Sequence, residues 1–141
     1  MIDMTVTFDT DTIRLITLFE NLTGAPVKDC IIEETVVYFV VDEGKIGLAI
    51  GKNGNVIKNA EGVIGKTIKV FEYSNDMCKF VKNLMPQCTE IKVRNEDDKI
   101  IIEVRVEKND RAMLIGRDGR NLKVLKEVIK RSHRVDDLVI R

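Results

Sequence analysis

Two short segments carry the residues best suited to chemistry. "IGKNG", Ile50 to Gly54, and "IGRDG", Ile115 to Gly119, lie 65 positions apart and share the pattern Ile-Gly-x-x-Gly. Each places a cation, Lys52 or Arg117, and a short polar residue, Asn53 or Asp118, between two glycines. Such a pair either makes a tight connection and nothing more, or bares the main chain to a ligand, because glycine reaches conformations closed to other residues and has no side chain to hold a ligand off. A single copy favours the first reading; two copies in equivalent places, each ahead of a helical pattern, favour the second. A helix that starts at the second glycine points unsatisfied N–H groups and partial positive charge outward, which suits an extended phosphodiester. A mononucleotide loop fits poorly. The P-loop needs four residues between its glycines and then Lys-Ser/Thr, and the dinucleotide fingerprint needs three glycines after a strand.

Little else in the chain suggests reactive chemistry. His133 is the single histidine, and Cys30, Cys78 and Cys88 form no CxxC pair, so neither a metal site nor histidine-based catalysis has a basis and the cysteines are expected as buried thiols. No Ser/His/Asp or Cys/His set is available, and the chain is read as having no enzymatic activity, cofactor or small-molecule substrate. No apolar run approaches the roughly 18 residues of a membrane span. Three aspartates fall within Met1 to Thr12, where a signal peptide would carry positive charge, and a cytoplasmic protein without a membrane partner is expected.

Charge is neutral overall but unevenly distributed. Residues 1–44 hold nine acidic against two basic residues, whereas 45–70 hold one against five and 105–134 hold four against ten. Both basic blocks coincide with the glycine pairs, so an anion should meet the protein there. Lys58 follows the first pair. After the second, Arg120 precedes Lys123, Lys126 and Lys130, whose spacing forms a cationic stripe that is either a solvated face or part of a binding surface. Arg131 and Arg134 are read as solvating or ion-paired. Asp118 either weakens phosphate binding at the second loop or caps the helix after it.

The elements that must position these loops repeat. Asp9 to Leu22 reads as a helix stopped by Gly24 and Pro26, followed by strands over Val27–Glu33 and Thr35–Val41, the second apolar enough to be central. A short helix over Lys45–Ile50, the glycine turn, a helix from about Gly54 to Ile64 burying Val56, Ile57, Ala60, Val63 and Ile64, and a strand over Lys66–Glu72 close the unit. The series then restarts. Asn75 is expected to cap a helix that runs to Pro86, with strands over Cys88–Arg94 and Lys99–Val106 around the turn Asn95-Glu96-Asp97-Asp98. Asn109 or Asp110 opens the next short helix, the helix after the second turn buries Leu122, Leu125, Val128 and Ile129, and Asp137–Arg141 is the last strand. Both halves read helix, strand, strand, helix, turn, helix, strand, and a repeated topology is stronger evidence than a repeated motif.

The "IGKNG" and "IGRDG" segments, each between short helices, resemble the signature loop of KH domains. A helix and strand ahead of the core match the type II order of that fold. The resemblance covers nearly the whole chain as an α+β protein of two consecutive type II KH domains, residues 1–73 and 74–141, rigidly packed in tandem. Paired at this length, they resemble the NusA-like transcription termination and antitermination factors of the short archaeal type. The resemblance implies single-stranded RNA in a groove beside each loop, with about four nucleotides clamped per domain. Gly51, Lys52, Asn53 and Gly54, and Gly116, Arg117, Asp118 and Gly119, would meet the sugar-phosphate backbone, with Lys58, Arg120 and Lys123 alongside. Ile50, Ile57, Ile115 and Leu122 suit either the floor beneath the bases or a plain helix-pair core. The implied role is engagement of nascent transcript to modulate termination or pausing. RNA polymerase or a transcription complex enters as a candidate partner, although a chain of 141 residues has no room for the polymerase-binding and S1 regions of bacterial NusA-like proteins. Two alternatives stay open: a protein-interaction module whose acidic N-terminal unit docks a basic partner, and a KH-pair factor of ribosome or RNA maturation.

Overall fold

In the computed structural model, which describes residues 9–141, helix α1 (Thr10–Thr23) starts where the Asp9 carboxylate accepts the Thr12 amide at 2.8 Å. That bond and the Thr12 hydroxyl hold the Asp9 carboxyl below the usual carboxylate range. Expectations that concern residues 1–8 lie outside the described residues. Gly24 ends the helix in the left-handed conformation, its N–H donating to Glu20 O at 2.7 Å.

Strands β1 (Val27–Ile32) and β2 (Val36–Val41) then pair antiparallel, with a bulge between Val27 and Asp29. Strand β3 (Thr67–Glu72) joins β2 in parallel, and the sheet order is β1-β2-β3. A parallel neighbour requires a crossover. Helices α2 (Ile46–Ile50) and α3 (Asn55–Ile64) supply it, with a 3₁₀ turn over Lys52–Gly54 between them. Central β2 is buried continuously from Val37 to Val41. Its Val37, Phe39 and Val41, with Cys30 and Ile68, meet Phe19 of α1, Ala49 of α2 and Ala60 of α3 in one core, where Phe19 stacks on Phe39 with ring centroids 3.9 Å apart. The two small alanines let the short helices approach the sheet closely.

The chain divides into two compact units between Ser74 and Asn75. The second repeats the element order as α4 (Met77–Leu84), β4 (Cys88–Glu96), β5 (Lys99–Val106), α5 (Lys108–Ile115), a 3₁₀ turn over Arg117–Gly119, α6 (Arg120–Ser132) and β6 (Asp137–Ile140). Its sheet order is β4-β5-β6, antiparallel then parallel. Ile102, Val104 and Val106 alternate inward on β5, while Glu103 and Arg105 on the other face pair with Arg141 and Glu90. No helix among the described residues is long and apolar enough to cross a membrane.

Several local expectations need correction. The cap of α4 is Asp76, which accepts Lys79 N at 3.1 Å, not Asn75, because its carboxylate sits one residue nearer the open amides and adds charge at the positive end of the helix. Helix α5 opens one residue before Asn109, and Glu107 at the cap position makes no side-chain bond to it. Val63 is 54% exposed: at about 100° per residue it lies off the edge of the Ile57–Ala60–Ile64 stripe. Leu122 is only half-buried, and Val124 takes its place among the buried residues of α6. Cys30 and Cys88 are buried, but Cys78 is exposed because α4 turns Phe80, Val81 and Leu84 inward and residue 78 falls outside that face.

The hairpin between β4 and β5 is tighter than the acidic run suggests. Glu96 pairs with Lys99, leaving Asp97 and Asp98 as a two-residue turn with φ of 50° and 66°. Two left-handed residues match the right-handed twist of the strands, and glycine suits the second position better than aspartate. Asp98→Gly should raise unfolding free energy by about 0.5–1 kcal/mol in denaturant titrations. A loss of stability would show that the turn is not held against a backbone preference.

Candidate nucleic-acid interface

The two glycine turns have nearly the same backbone. Gly51 and Gly116 have φ/ψ of 76°/174° and 78°/174°, Asn53 and Asp118 have 57°/25° and 56°/26°, and Gly54 and Gly119 have 74°/15° and 72°/14°. Their hydrogen bonds match as well. Gly51 N donates to Gly47 O and Gly116 N to Ala112 O at 2.9 Å, while Gly54 N reaches Gly51 O and Gly119 N reaches Gly116 O at 3.2 Å. The amides of the intervening residues, Lys52 with Asn53 and Arg117 with Asp118, lead each 3₁₀ turn, whose own bonds begin with Gly54 N and Gly119 N. No side chain caps the helix that follows, in either copy.

The glycines divide the work. The first of each pair occupies a region at positive φ and extended ψ that glycine alone populates. A Cβ on Gly51 would lie 2.3 Å from Val56 Cγ2 and 2.9 Å from Val56 N, and one on Gly116 would lie 2.9 Å from Asn121 Cβ and 3.0 Å from Asn121 N. These glycines let the turn close onto the next helix. Asn121 locks the second copy further by donating from Nδ2 to Leu114 O at 2.7 Å, satisfying a carbonyl near the end of α5. The second glycine of each pair faces open space: nothing lies within 4 Å of a Cβ on Gly119, and on Gly54 only Ile57 Cγ2 and Lys58 Cε do, at 3.9 Å. Lys58 therefore folds its stem back over its own loop.

Lys52, Asn53, Lys58, Arg117, Asp118, Arg120 and Lys123 are all exposed, and Gly51, Gly54, Gly116 and Gly119 are half-buried. Those seven side chains make no hydrogen bond or ion pair among the described residues. The cationic stripe on α6 is not uniform. Lys126 Nζ lies 3.2 Å from Asp137 Oδ1, so it is committed within the unit, whereas Lys123 stays open beside the loop. Burial alone would raise the Asp137 carboxyl, but the Leu138 amide, Lys126 and Lys130 outweigh it and lower it. The pair therefore contributes above the ordinary carboxylate range and is lost only in more acidic solution. Arg131 pairs with Glu127 at 3.3 Å, as its ion-pair reading expects. Asp118 does not cap α6. Gly119 holds the cap position, and Asp118 stands where the turn demands a left-handed residue, a conformation that Asn and Asp adopt more readily than other side chains.

Of the four apolar residues given two readings, Ile57 packs against the core, and Ile50, Ile115 and Leu122 are half-buried. Two residues without an assigned role stand out instead. Leu48 is 48% and Met113 61% exposed, at equivalent positions three residues before the first glycine of each loop. Their equivalence within "LAIGKNG" and "MLIGRDG" is visible in the sequence. Their exposure is not, because α2 and α5 are too short for their apolar stripes to be read from spacing.

Comparison with known proteins shows the family of the chain. The family profile described as "KH domain" matches residues 14–84. A curated protein of Methanococcus vannielii named "Probable transcription termination protein NusA" is 38% identical over 84% of this chain, which covers 70% of that protein. The chain belongs to the archaeal NusA-like family of KH proteins. A second NusA-like relative, from Methanocaldococcus jannaschii and carrying the same name, is 30% identical over 96% of the chain and is covered over 75% of its own length. The crystal structure of APE1850 superposes with a TM-score of 0.76 at 34% identity, covering 95% of this chain and 100% of that one.

Proposed function

We propose that this NusA-like protein binds single-stranded RNA without catalysing a reaction, engaging nascent transcript to modulate termination or pausing. In this reading residues 1–73 and 74–141 are two type II KH domains, rigidly paired so that one strand meets both loops, and the second domain binds an already tethered strand. The observation that carries the proposal is the duplicated turn: two backbones alike within a few degrees, each setting the leading amides of a 3₁₀ turn beside exposed cations that have no partner among the described residues. Phosphate oxygens would take the amides of Lys52, Asn53, Arg117 and Asp118, while Lys58, Arg120 and Lys123 supply longer-range attraction. Leu48 and Met113 would lie against the nucleoside whose phosphate sits on the loop, since an unstacked base gains from covering an apolar side chain. The same family membership makes a transcription complex a candidate partner and the cytoplasm the expected site of action.

Salt dependence tests the clamp directly. Affinity for a single-stranded RNA oligonucleotide should fall with a log-log slope of about −0.7 for each phosphate held, so a few contacts give a slope near −2 to −3. A flat response would instead favour the reading in which the acidic N-terminal unit docks a basic protein and the turns are structural. Crosslinking in cells followed by sequencing of the bound RNA separates nascent messenger from ribosomal RNA, the product expected of a maturation factor.

A further inference from the structure

We infer that Asp118 acts as an electrostatic brake on the second loop, so that the two loops of one chain hold the RNA backbone unequally and the first holds it more tightly. The inference rests on the RNA-binding reading above and concerns how that site is tuned.

The two turns form a matched pair. Their dihedral angles, hydrogen-bond lengths and pattern of exposure coincide, so a difference in phosphate affinity must come from side chains. The third residue of each turn needs to tolerate left-handed backbone, and Asn53 shows that asparagine meets this need here without a charge. Asp118 therefore adds nothing to the backbone requirement. It does not cap α6, and it makes no hydrogen bond or ion pair among the described residues, not even with its neighbours Arg117 and Arg120. Its carboxylate remains to act on whatever anion the loop holds.

Total charge alone would rate the loops as equal. Lys52 and Lys58 give the first a charge of +2, and Arg117, Arg120 and Lys123 less Asp118 give the second the same. Position separates them. The amide of Asp118 is itself one of the two that lead the 3₁₀ turn, so a phosphate oxygen bonded there has a carboxylate within one side chain's reach. Arg120, which replaces Asn55 of the first copy, stands beyond the second glycine in the first turn of α6. Coulomb energy falls with distance and exposed charges are screened, so the nearer carboxylate outweighs the farther guanidinium at the amides themselves.

The test uses the full chain and fluorescence anisotropy with a labelled single-stranded RNA oligonucleotide. Asp118→Asn should tighten binding about three- to tenfold at low salt, and Asn53→Asp should weaken it by a similar factor. Asp118→Gly, which removes the charge without adding a donor and keeps the left-handed backbone, should tighten binding as well. Both effects should shrink as salt is added. Thermal unfolding midpoints should stay near the parent value for the two Asp/Asn exchanges and should not fall for Asp118→Gly, since all three replacements suit the turn. The brake is refuted if Asp118→Asn and Asp118→Gly bind no more tightly than the parent, or if their gain persists undiminished at high salt. A parent that binds no RNA at all removes the RNA-binding reading itself, an outcome separate from failure of the brake.

Discussion

A variant whose two turns both read Gly-Asp-Asp-Gly, made by Lys52→Asp, Asn53→Asp and Arg117→Asp beside the native Asp118, should lose at least about 100-fold in affinity for single-stranded RNA at low salt. Its thermal midpoint should move by no more than a degree or two. The first half follows from charge. Two exposed cations become anions and one neutral side chain gains a charge, all beside the amides that would hold phosphate, and each close like-charge contact at a surface costs on the order of 1 kcal/mol. The second half follows from geometry. These side chains are exposed and make no hydrogen bond or ion pair among the described residues, and Asp118 already occupies the left-handed position with a φ of 56°. Surface changes of this kind usually stay within about 0.5 kcal/mol. Anisotropy and a thermal melt on the same preparation decide the matter: RNA affinity equal to the parent's would remove the clamp, and a collapsed melting transition would mean that the turns are part of the scaffold.

Gly51→Ala should behave in the opposite way, costing stability first. The added Cβ would stand 2.3 Å from Val56 Cγ2 and 2.9 Å from Val56 N, and the residue would be held in a region that alanine avoids. Strain of this type costs about 1–3 kcal/mol before the contact with a backbone nitrogen is added, so about 3 kcal/mol or more is expected in denaturant titrations. Adding Val56→Ala should recover only part of the loss, because the amide nitrogen stays where it is. Gly116→Ala should cost somewhat less, its nearest contacts being 2.9 and 3.0 Å. Gly119→Ala meets no atom within 4 Å and should cost only about 1–2 kcal/mol for its φ of 72°. If Gly51→Ala and Gly119→Ala proved equally mild, the division of labour between the two glycines would be wrong.

Much of this molecule can be read from its residues. The order of elements is legible because each is bounded by a residue with a local reason to be there: Asp9 and Gly24 around α1, Pro86 after α4, the β-branched run of β2 that makes it central. The loops are legible because they are repeated. What escapes is whatever depends on atoms brought together from outside a local window. The parallel pairing of β2 with β3 and of β5 with β6 leaves no mark on spacing. The close approach of Gly51 to Val56 and of Gly116 to Asn121 is invisible until the turn is built, and so the part that the first glycines play in the fold cannot be read from the motif. The cap of α4 slips by one residue to Asp76, because neighbouring polar residues compete for the same amides, and α5 starts at Lys108, ahead of Asn109, without any side-chain cap. The exposure of Leu48 and Met113 escapes because α2 and α5 are too short for an apolar stripe to be read from spacing.

Each three-stranded sheet draws all its strands from one side of the Ser74–Asn75 division, and its widest pairings, Val36 with Thr67 and Ile101 with Asp137, span about 30 to 36 residues. No hydrogen-bonded ladder of the first sheet waits for anything synthesised after Tyr73, whose amide donates to Val41 O. On the ribosome the leading half can thus complete its β structure while the trailing half is still being made, and the unpaired edges that invite aggregation are exposed only briefly.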